Sequence, residues 1–154
     1  MVTVDTPQPY SYRRDPAVPP FPDDRPVIVF DGHCGFCSGF ARFILRHDKA
    51  ARFRLLPAQT DLGRALYRHY GLDPEHYATN ILIEDGVGLF KSEASIRMFE
   101  GLGRPWSLAR CLRLVPRGPL DRAYEIIARN RMRIAGRRDV CYAPSPADRA
   151  RFLG

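Results

Sequence analysis

Cys34 and Cys37 stand three residues apart, and Asp31 precedes the first of them by three. A close cysteine pair has two main uses: thiol–disulfide exchange, or half of a zinc site. On a helix, residues three apart share a face, so the two sulfurs can meet. If Cys34 opens that helix, the unpaired N–H groups and the dipole favour its thiolate. Such a setting brings a thiol from about 8.5 into the range of about 3.5–7.5. Cys37, one turn further in on the apolar face, is expected to be shielded. The pattern therefore predicts Cys34 as the reachable nucleophile and Cys37 as the resolving thiol. A structural zinc site needs four ligands, usually with a second close pair. Cys111 and Cys141 are single and far apart, and no histidine pair accompanies either. Redox chemistry is the favoured reading; the alternative is a zinc-binding or protein-interaction module.

The flanking residues suggest supporting roles. Asp31 is a candidate general base for Cys37, or a turn residue bonding nearby N–H groups; the sequence leaves both open. His33, when protonated, would favour the Cys34 thiolate; otherwise it is a loop residue. Gly32 permits a sharp turn, and Phe36 is a candidate apolar contact for a partner protein. The run Val27–Gly32 also suits an aspartyl-phosphate phosphatase, but that chemistry needs a second acid two residues after the aspartate. His33 occupies that position.

These residues need elements to hold them. Val27–Phe30 is a short, β-branched apolar run, the signature of a buried strand. The apolar positions Cys37, Phe40, Ala41, Ile44 and Leu45 predict a helix from Cys34 to His47. Phe53–Leu56 predicts a second strand, stopped by Pro57, and Thr60 caps a helix to Tyr70. Asp85-Gly86 predicts a hairpin joining 81–83 to 87–90. Ser92 is expected to cap a third helix carrying Ile96, Phe99 and Leu102. Two more helices are expected, over 105–115 and from Gly118 to about Ile134. The first would bury Cys111 with Leu108, Leu112 and Val115. The second would bury Leu120, Ala123, Tyr124, Ile127 and Ala128. The resulting order, β-α-β-α-β-β-α, predicts an α/β thioredoxin-like sandwich with additional C-terminal helices.

With 154 residues, 45% of them apolar, the chain has enough sequence for one domain with a real core. The expected division is a Pro-rich irregular arm over 1–25, the domain over 26–136, and a basic tail over 137–154. The net charge is +7, carried almost wholly by arginine. No nucleic-acid motif accompanies it, so no nucleic-acid partner is expected. There is no membrane-spanning run and no signal peptide at the start, which points to the cytoplasm.

The stretch Val29–Cys37 resembles the DCC family of thiol-disulfide oxidoreductases, named for an Asp-x-x-Cys-x-x-Cys motif met here by Asp31, Cys34 and Cys37. The helix Phe40–His47, the Asp85-Gly86 hairpin, the helix ending Tyr124–Arg131 and the late Cys141 are similar to family features. The resemblance implies a thioredoxin-like fold and dithiol–disulfide exchange on a protein or small-molecule substrate, with no bound organic cofactor. It makes Cys141 a candidate third redox thiol, or one that resolves an intermolecular disulfide. Thioredoxin-like enzymes usually carry a cis-proline before the third strand. Here Tyr77–Ile81 has no proline, which implies a narrower substrate range or metal binding, with Thr79 a candidate to line the site.

Overall fold

The computed structural model describes residues 9–73, 80–135, 146 and 148–153, without the side chains of Phe36, Arg131, Met132, Ile134 and Ala135. Four strands form one sheet: β1 (Val27–Phe30), β2 (Arg54–Pro57), β3 (Ile81–Glu84) and β4 (Val87–Phe90). Their spatial order is β2-β1-β3-β4. β1 and β2 run parallel, with Phe30 opposite Pro57. β3 runs antiparallel to β1, and β4 antiparallel to β3. The hairpin turns at Asp85 (φ 50°) and Gly86 (φ 78°), the left-handed pair that a two-residue turn requires. Pro57 ends β2 from within, as its last paired residue, rather than stopping it from outside.

Helices α1 (Gly35–His47), α2 (Asp61–His69) and α3 (Lys91–Gly101) alternate with the strands as expected of a thioredoxin-like α/β sandwich. β1 is buried along its whole length, so both faces of the sheet are covered. On one face Ile28, Phe30, Leu55 and Leu82 meet Cys34, Cys37, Ala41 and Ile44 from the α1 side, and Ala94 and Met98 from α3. On the other, Val27, Val29, Leu56, Ile81 and Ile83 meet Leu66 and Tyr67 of α2, and Tyr12 from the N-terminal stretch. The period of two along each strand sorts these residues between the faces. The C-terminal stretch returns to β2: Phe152 bridges to Leu55, and Arg151 pairs with the buried Asp48 at the end of α1.

Three expectations fail in the second half. Residues 106–114 form a 3-10 helix, not an α-helix. With three residues per turn, Leu108, Cys111 and Leu114 align, and all three are exposed; Cys111 is a surface thiol, not a core residue. The last helix, α4 (Arg117–Ala135), docks only a narrow row. Leu120, Tyr124 and Ala128 are half-buried, while Ala123 and Ile127 face solvent. Ser92 does not cap α3, whose N-cap is Phe90; its hydroxyl donates to Asp121 of α4.

Candidate active site

Parallel strands β1 and β2 end side by side, and the thiols lie just beyond β1, where open α/β sheets place their sites. β3 begins and β4 finishes at this same end, because Val29 pairs with Ile81 and Ile81 with Phe90. The site is thus framed by the turn Asp31–Cys34, the segment after β2, Asn80 and the start of α3.

Cys34 is the N-cap of α1, and its Sγ accepts the Cys37 backbone N–H at 3.3 Å. A thiol therefore occupies the place usually taken by a serine or aspartate oxygen, satisfying one of the donors a helix leaves unpaired. Cys37 follows one turn later on the apolar face. Cys34 and Cys37 are both thiols. The expected asymmetry of access is absent: Cys34 is 0% exposed and Cys37 4%. The reason is packing, for Cys34 belongs to the same apolar cluster as Ile28, Phe30 and Ile44. Cys34 Sγ thus receives an N–H at the helix start and is sealed beneath packed side chains.

The turn before the thiols is held from several directions. Asp31 is 3% exposed. Its backbone carbonyl accepts Cys34 N–H at 3.3 Å, and its Oδ1 accepts His33 N–H at 2.9 Å. Of the two roles open for Asp31, the turn-forming one is visible in these contacts. Gly32 is bonded at both backbone groups: its carbonyl accepts the Ser38 hydroxyl at 3.2 Å, and its N–H donates to Gln59 Oε1 at 2.9 Å. His33 is half-buried. Phe36 lies in α1 with its side chain outside the described atoms, and Thr79 and Cys141 lie outside the described residues.

Gln59 is the site residue that sequence reasoning missed. Its Nε2 donates to Asp31 Oδ1 at 2.6 Å, while its Oε1 takes the Gly32 N–H. Ala58 N–H donates to the Phe30 carbonyl at 2.7 Å, carrying the β1–β2 pairing one step further and placing Gln59 beside the turn. Gly63 lets α2 pack closely on the end of β2, since a Cβ there would lie 2.6 Å from the Pro57 carbonyl oxygen. The available signal was positional: a polar residue just past a strand parallel to the one carrying the thiols.

Among the described residues, no cluster of three or more His, Cys, Asp or Glu side chains is arranged to hold a metal ion. No described helix is long and apolar enough to cross a membrane.

Residues 28–137 match the family described as DCC1-like thiol-disulfide oxidoreductase. The chain is 35% identical over 127 residues to the uncharacterized protein YuxK of Bacillus subtilis, covering 82% of this chain and 93% of that one. It is 32% identical over 120 residues to a chloroplastic DCC family protein of Arabidopsis thaliana, covering 77% of this chain and 70% of the relative. No solved structure matches.

Proposed function

The chain belongs to the DCC1-like thiol-disulfide oxidoreductase family, and from that premise we propose how its thiols divide the work. It carries out thiol–disulfide exchange through the Cys34–Cys37 pair. Cys34 is the nucleophile. The observation that carries this role is the Cys37 N–H directed at Cys34 Sγ at the start of α1. Together with the helix dipole, this donor favours sulfur in its anionic form, while burial opposes it.

In the first step, Cys34 thiolate attacks one sulfur of a substrate disulfide. The Cys34–substrate S–S bond forms, the substrate S–S bond breaks, and one substrate thiolate leaves. In the second, Asp31 takes the Cys37 proton and the resulting thiolate attacks Cys34 Sγ. The Cys34–Cys37 bond forms and the second substrate thiolate departs. The substrate is reduced by two electrons and the protein oxidised; an external thiol returns it to the dithiol. Because Cys34 is sealed in the closed state, a local opening precedes the first step. We assign the work to the cytoplasm, a reducing compartment in which a close cysteine pair is more often catalytic than structural.

Trapping tests the roles. Cys37→Ser, exposed to a protein disulfide, is expected to accumulate a mixed disulfide through Cys34, whereas Cys34→Ser accumulates none. Equal trapping by both variants would remove the assignment.

A further inference from the structure

The Gln59 side chain spans two groups of the turn that precedes the thiols, the Gly32 N–H and the Asp31 carboxylate. The Gly32 N–H can only donate, so the amide oxygen must face it. That fixes the amide nitrogen on Asp31 Oδ1, at 2.6 Å, against 2.9 Å for the oxygen side. A donor fixed in this way holds the orientation of the carboxylate it meets. The backbone just before Gln59 packs closely against α2, where a Cβ on Gly63 would meet Pro57 and Ala58.

We propose that Gln59 is a positioning residue for thiol–disulfide exchange, orienting the Asp31 carboxylate for the resolving step. The inference rests on the roles given above to Asp31 and Cys37. It assigns Gln59 to the second step only, because the first uses the Cys34 thiolate alone.

The two steps separate in a stopped-flow reaction with one equivalent of the symmetrical disulfide of thionitrobenzoate, in a Cys111→Ser, Cys141→Ser background. Attack by Cys34 releases one thionitrobenzoate, and resolution by Cys37 releases the second. Gln59→Leu removes both contacts. Gln59→Glu keeps an acceptor for Gly32 but sets a carboxylate against Asp31. Both variants are expected to leave the first release near its original rate and slow the second by about tenfold or more at pH 7, a fraction of what general-base catalysis supplies. Should Gln59→Leu fail to fold, Gln59→Glu alone decides the matter.

Equal slowing of both phases, or a second phase left at its original rate in Gln59→Glu, overturns the positioning role. Failure of the underlying exchange reading looks different: the Gln59-containing protein itself would then lack a second release.

Discussion

Helices α1 and α4 are both amphipathic, and they pack on one another, yet different forces hold them. α1 lays Cys37, Ala41 and Ile44 onto the sheet, each 4% exposed or less. α4 is fixed by polar contacts at its edge. Lys91 pairs with Glu125 at 2.7 Å, Ser92 bonds Asp121, Arg117 pairs with Glu93, and Asn80 N–H donates to the Tyr124 hydroxyl at 3.3 Å. Meanwhile Ile126 and Ile127 stay nearly half exposed. Burial of a branched apolar side chain contributes about 1.5–3 kcal/mol, while an exposed ion pair contributes about 0–1 kcal/mol. The thiols thus sit on the firm helix, beside a weakly held one. A sealed nucleophile needs some element to yield, and elements with few buried apolar contacts yield first.

The largest effects are expected in α1 and at its far end. Arg151→Met leaves Asp48, whose side chain is 1% exposed, without its cation. Breaking a buried pair in this way costs about 3–5 kcal/mol. The lower end applies here, because Arg52 and Phe53 N–H still donate to Asp48 at 3.1 and 2.8 Å. Urea unfolding measures it. Ile44→Ala, in the last turn of α1, is expected to cost about 2–5 kcal/mol through lost burial and a cavity. The matching change on α4, Ile127→Ala, should stay within about 0.5 kcal/mol. If the two alanine variants cost the same, the contrast between the helices is broken.

Lys91→Ala should lower global stability by less than about 1 kcal/mol while speeding amide exchange in α4 more than in α1. The smallest effect is one of pH. The Lys91 ammonium bonded to Glu125 holds that carboxyl below its ordinary value of 4.5. A depressed carboxylate stabilises the fold above its unfolded value, and this contribution is lost as pH falls through the folded one. Amide signals of α4 should therefore loosen below about pH 4.5 before those of α1, as pH-resolved spectra would show.

The same contrast explains what could be read from the residues. β1, α1 and the hairpin were legible because their signals were redundant: an unbroken β-branched run, a wide apolar stripe, and an Asp-Gly turn with both residues left-handed. Residues 105–115 carried an α-helical spacing, but the chain takes a 3-10 path, which moves Leu108, Cys111 and Leu114 onto one exposed line. In α4 the stripe exists, but the helix meets its neighbours through Asp121, Tyr124 and Glu125, leaving Ile127 outside. At the site, Cys34, Cys37 and Asp31 were visible as a motif. Gln59 was not, because its role arises from the parallel pairing of β1 and β2 across 27 residues of chain. The burial of Cys34 was hidden for the same reason: helix position sets its electrostatics, whereas packing of separate elements sets its exposure.

The central claim is that Cys34 and Cys37 act as one two-electron couple. Protein equilibrated across glutathione redox buffers, quenched by alkylation and mapped by mass spectrometry, tests this most directly. A single transition is expected, in which the peptides bearing Cys34 and Cys37 become joined and both escape alkylation together. Independent glutathione adducts on the two cysteines, with no joined peptide at any potential, would contradict it.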